Sequence, residues 1–269
     1  MVFGGVQHER IQLNEDTLWS GGPQDADNPA ALEALPEIRR LLFKGRYKDA
    51  ENLAYQRLIC AGKGSGRGSG ARDPYGSYQT LGDLQLDLER QDEPTEYRRE
   101  LDLDSAIARV TYRSRGAAFS REVFSSAPDQ VLVVRITCDR PAQISFTAGL
   151  SRAECAVTRS PADDELVMSG QMSDGKGMKF IARLKALLEG GKVSAAGDKL
   201  RVAGADAVTL LLPAATDYLP KPPDYHGNPY DQISAERLRA AAGKTYAVLR
   251  ERHVSDYQKL FTPKCEDSS

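Results

Sequence analysis

Between residues 78 and 212 the chain is mostly a succession of short apolar–polar alternations, broken by turn residues at intervals of about 8–12 and not by a helical repeat. Leu84, Leu86 and Leu88 alternate with Gln85, Asp87 and Glu89. Strand side chains point to opposite faces with period two, so these leucines share one face, and that face needs a core. Comparable segments follow at 97–101, 106–113, 118–125, 130–137, 143–150, 165–169, 178–188, 192–195, 199–203 and 207–212. Many short strands with no intervening helices predict a mainly β fold, a large antiparallel β-sandwich.

Helical spacing is confined to two regions. In 28–58, Asn28 suits a helix cap and Pro29 the first helical position, and Leu32, Leu35, Ile38 and Leu41 recur at helical intervals, followed by Ala50, Leu53, Ala54 and Leu58. In 234–260, Ser234 and Glu236 open a stretch whose face carries Leu238, Ala241, Ala242, Tyr246 and Leu249, extended by Tyr257, Leu260 and Phe261. Ahead of both, residues 1–12 read as two short strands around Gly4 and Gly5, and 14–23 as a loop carrying Trp19. The organisation expected is a sandwich domain over 1–233 with a helical insertion at 28–58 and a Gly-rich loop at 61–71, helices over 234–261, and a polar tail at 262–269.

Composition narrows the partner classes. In 269 residues, 36 Lys and Arg face 38 Asp and Glu, which removes the uncompensated positive charge that nonspecific nucleic-acid or membrane-surface binding requires. No apolar run approaches the ~20 residues of a membrane-spanning helix. The start, MVFGGVQHER, has none of the features of a secretory signal. Cys60, Cys138, Cys155 and Cys265 are scattered and form no CxxC, so no zinc or thioredoxin-like site is expected; Cys138 reads as a small core residue and Cys265 as exposed.

Catalytic motifs are sparse. The run CAGKGSGRGSGA is glycine-rich, but no buried strand precedes it and no apolar helix follows, so neither a dinucleotide site nor a P-loop is indicated. No GxSxG nucleophile elbow occurs, and His8, His226 and His253 lie far apart without metal-ligand spacing. The acidic run Asp163, Asp164 and Glu165 reads as a solvated turn, because a glycosidase needs two carboxyls facing each other across a sugar. Trp19, Tyr75 and Tyr78 offer faces on which sugar rings could stack; the alternative is that Trp19 anchors its loop in the sandwich core.

Several long segments taken together carry more information than any short motif. The runs GGVQHERIQLNEDTLWSGGP, NPAALEALPEIRRLLFKGRYKDAE, YQTLGDLQLDL, YRRELDLDSAIARVTY, REVFSSAPDQVLVVRI and LLLPAATDY, in this order, resemble the N-terminal domain of the α-L-fucosidases of glycoside hydrolase family 95. The run ERHVSDYQKLF resembles the helix leading from that domain toward a catalytic barrel. The resemblance implies a β-supersandwich with C-terminal linker helices and, for the parent enzyme, inverting hydrolysis of α-L-fucosides on fucosylated glycans by groups in an (α/α)6 barrel. No position here matches those catalytic groups, so the chain alone is expected to be inactive, with no cofactor and no metal. The start at MVFGG and the end in TPKCEDSS, where the family pattern stops, lead us to expect a leading strand and the barrel outside this sequence.

Asn14, Glu15, Trp19, Tyr78 and Gln79 lie in the two loop segments that match most closely and combine hydrogen-bonding groups with aromatic faces, so they are the expected substrate-binding residues. Tyr246, Leu249, Tyr257, Leu260 and Phe261 are expected to form an apolar face toward the barrel. The resemblance allows a secreted or periplasmic location. The alternative function is an independent carbohydrate-binding or scaffold module.

Overall fold

The computed structural model describes residues 1–22, 25–60, 76–89 and 93–261. Its strands are β1 (His8–Leu13), β2 (Gly82–Leu88), β3 (Thr95–Asp102), β4 (Ile107–Ser114), β5 (Ala117–Ser126), β6 (Val131–Cys138), β7 (Ile144–Ser151), β8 (Ala156–Ala162), β9 (Glu165–Gln171), β10 (Lys179–Glu189), β11 (Lys192–Ala196), β12 (Lys199–Ala205), β13 (Ala207–Leu212) and β14 (Ala214–Thr216). Helices are α1 (Ala31–Phe43), α2 (Tyr47–Arg57), the single turn α3 (Met172–Gly175), α4 (Tyr230–Ala242) and α5 (Tyr246–Phe261). The chain divides into two compact units. One comprises Met1–Leu18, Thr80–Gly170 and Lys179–Ser269; the other comprises Trp19–Gln79 and Gln171–Met178.

The first unit is the β-sandwich. One sheet runs β1-β2-β7-β12-β11 and the other β3-β4-β5-β6-β13-β10-β9-β8, with β14 paired to β10. The pairs β1–β2, β2–β7, β4–β5, β5–β6, β6–β13 and β10–β13 are antiparallel. Leu84, Leu86 and Leu88 are buried as the alternation requires, while Asp83, Gln85 and Asp87 lie on the wetter face. β13, AVTLLL, is buried at every position because it sits between β6 and β10 in a covered part of its sheet. Its Leu211 joins Ile107, Phe124, Val131 and Val133 in a cluster closed by Leu238 and Ala241 of α4 and Leu249 of α5. The two C-terminal helices therefore spend their apolar stripe on the sheet. This corrects the expected outward face: Leu249 is core and Tyr246 packs against it, whereas Leu260 and Phe261 are exposed.

Polar groups pin α5 and the α4–α5 junction to the sheet. Asp129, in the β5–β6 turn, accepts hydrogen bonds from Ser126 Oγ at 2.9 Å and Arg252 Nε at 3.1 Å and lies 3.2 Å from Lys244 Nζ. His253 is buried, its Nε2 2.9 Å from the Ser105 carbonyl oxygen and its ring stacked 4.7 Å from that of Phe124. Tyr246 donates to Glu122, which also accepts from Arg109. A further ion pair joins the two sheets: Arg121 on β5 donates to Glu9 on β1, and both side chains are almost wholly buried. The other Glu9 oxygen accepts from the Phe3 and Gly4 amides at 3.1 and 3.0 Å. Glu9 occupies an inward position of β1, in step with buried Ile11 and Leu13.

The second unit contains α1 and α2, which share a small core of Ile38, Leu41 and Ala50 backed by Ala34, Leu53 and Ala54. Asn28 caps a turn rather than the helix: its Oδ1 accepts from the Ala30 amide, and α1 begins at Ala31 with no side-chain cap.

Other departures from the sequence reading are local. Residues 1–7 form no strand beyond a bridge from Val2 to Ile11. Helix α4 starts before Ser234, whose hydroxyl donates back to the Asp231 carbonyl from a buried interior position instead of capping an end. Cys138, expected in the core, ends β6 half-buried beside Asp139. The Gly-rich loop 61–71, Tyr75, the tail 262–269 and Cys265 lie outside the described residues. Among the described residues no helix is long and apolar enough to cross a membrane.

Candidate functional site

The sandwich unit carries a concavity of about 660 Å³ whose walls come from the loop after β1, the β5–β6 turn, the ends of β13 and β14, and α4. That volume suits a small ligand. Its base is apolar, with buried Ile11, Leu13, Leu81, Val131 and Leu212. Polar groups converge above them: Asn14, Glu15, Asp16, Thr17, Thr216, Asn228 and Arg237.

The loop after β1 is shaped by Glu15. Its Oε2 accepts from the Thr17 amide at 2.8 Å and the Thr17 hydroxyl at 2.7 Å, and its carbonyl accepts from the Leu18 amide. The Thr17 hydroxyl also hydrogen-bonds the Thr216 hydroxyl, tying the loop to β14. Burial pushes the Glu15 carboxyl above the usual carboxylate range; the Thr17 hydrogen bonds oppose this, and neighbouring Asp16 adds to it. From the C-terminal part of the chain, Asn228 Nδ2 donates to the Thr216 carbonyl at 2.9 Å, and Arg237 Nη1 donates to the Ala214 carbonyl at 2.8 Å. Glu15 and Asp16 are the carboxyl side chains of the lining, and they are adjacent on the chain. They stand on one wall and cannot oppose each other across a bound sugar.

The second unit gathers the other three expected residues. Trp19 and Tyr78 form an isolated antiparallel bridge and meet edge to face, ring centroids 5.9 Å apart at 75°. Both are exposed, at 49% and 45%, so neither is buried in a core. Ser20 and Ser77 lock the two segments through their amides and hydroxyls, and Gln79 Nε2 donates to Ser77 Oγ at 3.0 Å. In the same unit Ser173 Oγ accepts from the Gly21 amide at 2.8 Å, within a turn where Ser173 and Asp174 both have left-handed backbone. A Cβ on Gly177 would sit 2.3 Å from the Gly21 carbonyl oxygen, so only glycine permits this approach.

The structure thus brings Asn14 and Glu15 together on the cavity of one unit, and Trp19, Tyr78 and Gln79 together in the other. Sequence reasoning missed Thr216, Tyr218, Asn228 and Arg237, which reach the cavity from the other end of the chain; the only local signal was the turn-rich run from Pro220 to Gly227. The acids at 163–165 are engaged elsewhere: Asp164 pairs with Lys185, and Glu165 with Arg183, which also binds Asp231 and Ser234. Among the described residues no group of three or more His, Cys, Asp or Glu is placed to hold a metal ion.

The model for the N-terminal domain of glycosyl hydrolase family 65 matches residues 1–221. Alpha-L-fucosidase 2 of Arabidopsis thaliana is 34% identical over 289 residues, covering 97% of this chain and 33% of that protein. Proteins named "Probable alpha-fucosidase A" from Aspergillus niger and Aspergillus oryzae are 29% and 24% identical, covering 97% and 100% of this chain and 33% and 38% of their own lengths. The chain spans about one third of the length of the relatives it matches.

Proposed function

We propose, because the chain belongs to the family of glycosyl hydrolase family 65 N-terminal domains, that it serves as the noncatalytic N-terminal domain of an α-L-fucosidase-like glycoside hydrolase and contributes glycan-binding residues. The names of the relatives support α-L-fucosides as the substrate class. The arrangement of carboxyls supports a binding role for this part of the protein. Glycoside hydrolysis needs an acid and a base or nucleophile about 5–9.5 Å apart on opposite sides of the scissile bond. The cavity offers only the adjacent Glu15 and Asp16 on one wall.

In this reading Asn14 and Glu15 present hydrogen-bonding groups to a sugar in the cavity of the first unit, and within the second unit Trp19 and Tyr78 offer ring faces and Gln79 an amide for glycan contact. Residues 234–261 act as a helical linker toward a catalytic domain that supplies the acid and base. Fucosylated glycans are the substrate.

The test is a pair of measurements on the purified chain. An aryl α-L-fucoside should not be turned over, because no opposed carboxyl pair is available. Methyl α-L-fucoside should perturb the amide resonances of Asn14, Glu15 and Thr17, with weaker binding in Asn14→Ala. Turnover that follows the protein through purification removes the noncatalytic assignment, and an absence of any shift at those amides removes the binding assignment.

A further inference from the structure

We propose that Tyr218 and Tyr225 form an aromatic subsite for a second, neutral pyranose ring, lying at the edge of the cavity on the aglycone side of the bound fucoside. The assignment of fucoside and aglycone rests on the function proposed above; the aromatic platform rests on the geometry of the segment from 217 to 229.

This segment leaves β14 and returns to α4 as a closed loop. At its base the Asn228 amide donates to the Asp217 carbonyl at 3.1 Å, and the Asp217 carboxylate accepts from the Lys179 amide at 2.7 Å and lies 3.1 Å from His226 Nδ1. Further out, Tyr218 bridges His226, the Leu219 amide donates to the Tyr225 carbonyl, and the Tyr225 amide donates to the Lys221 carbonyl. An ordered loop held by its own hydrogen bonds on a rigid sheet is a common place for binding residues.

What the loop holds in place is a tyrosine pair. The Tyr218 and Tyr225 rings are within 5° of parallel with centroids 6.5 Å apart, and Tyr218 also lines the cavity. Tyr225 has φ +53° and is 45% exposed. Left-handed backbone strains a residue with a Cβ, and such strain persists where surrounding structure enforces it, often at binding sites. Here it leaves a large ring in water beside a polar cavity. A pyranose ring has a face of C–H bonds, which carry partial positive charge and match the negative face of an aromatic ring, while its equatorial hydroxyls remain free for partners such as the half-exposed His226.

The test uses lactose, which has no fucose, and methyl α-L-fucoside as separate probes of the full chain carrying labelled tyrosines. Lactose should shift the Tyr218 and Tyr225 ring resonances saturably at millimolar concentration. Tyr225→Phe should retain the response, and Tyr225→Ala should weaken binding by roughly tenfold or more. Tyr225→Gly should lose it equally while keeping the melting temperature, because glycine accepts the positive φ without strain. A wild-type chain whose tyrosine rings ignore lactose, or a Tyr225→Gly chain that binds it unchanged, overturns the subsite. A fucoside response at Glu15 without any lactose response sinks the subsite alone; a lactose response at the tyrosines without any fucoside response sinks the fucoside assignment and supports the platform.

Discussion

Replacing Arg121 with Met tests whether the buried ion pair between the sheets matters to stability. The arginine is 2% exposed, donates to Glu9 and, at 2.6 Å, to the Gly5 carbonyl, and its partner carboxylate is also buried. Removing one member of such a pair strands the other charge and costs about 3–5 kcal/mol. The wild-type pair is imperfect, however, because Arg121 Nε is buried with no hydrogen-bond partner among the described residues, a penalty that methionine would relieve. We therefore expect the low end, about 3 kcal/mol. At ~2.1 cal/mol/K per residue, the 269 residues give an unfolding entropy of about 0.56 kcal/mol/K, so the melting temperature should fall by roughly 5 °C. The double variant Glu9→Gln/Arg121→Met removes both charges and keeps an acceptor for the Phe3 and Gly4 amides. It should recover to within about 1 kcal/mol of wild type. Differential scanning calorimetry at pH 7 decides. A single variant that melts within 1 °C of wild type, or a double variant no better than the single, would show that burial of these charges is not what sets the energy.

Burial raises the Asp129 carboxyl, but hydrogen bonds from Arg252, Ser126 and Lys244 outweigh it and hold the group below the usual aspartate range. Its stabilisation is therefore present above the unfolded value near 4 and lost as pH falls through the lower folded value. Asp129→Asn should cost about 2–3 kcal/mol at pH 7, with a difference from wild type that shrinks in thermal melts at pH 3 and below. Burial pushes the Tyr112 phenol up to about 12. Absorbance titration should show Tyr112 ionising about 2 pH units late, within a late-titrating group that also includes Tyr230 and Tyr246, whose phenols burial likewise raises, and stability contributed by Tyr112 should fall as pH rises above about 10; a uniform tyrosine titration near 10 would contradict the burial. Gly170→Ala should abolish the soluble fold, since a Cβ there would lie 1.7 Å from the Cys155 carbonyl oxygen and 2.7 Å from the Phe180 ring. Recovery of a normally melting variant would mean that β9 can shift.

The sandwich was legible wherever one face of a strand is wet, because alternation then writes the strand into the sequence, as in Leu84, Leu86 and Leu88. It was illegible in β8, AVTRSPA, an edge strand with few apolar side chains and a proline, whose identity comes from pairing with β9. The Glu9–Arg121 pair was hidden because each charged side chain reads by itself as solvent-facing, although Glu9 stands in step with Ile11 and Leu13 and Arg121 with Phe119 and Val123; only the partner sheet reveals the buried pairing. The site was half legible. Asn14 and Glu15 follow a strand directly and sit in a turn-rich loop, so local chemistry marks them; Tyr218, Asn228 and Arg237 become neighbours of that loop only through β13 and β14. The helices 230–242 and 246–261 were found by their period, but not the face they use, since Leu249 and Leu260 look equivalent in sequence and are opposite in burial.

The hydroxyl contact between Thr17 and Thr216 joins residues 199 positions apart. A ribosome emitting this chain finishes one wall of the cavity early and must extend past Arg237 before the other can arrive. Contacts of such long range form late, after their loop-closure cost is offset by the sheets between them. Any sugar that binds the cavity is then a clock for the last step of folding: added to refolding protein, it should bind no faster than β13 and β14 dock, and a nascent chain released short of residue 237 should have nothing to offer it.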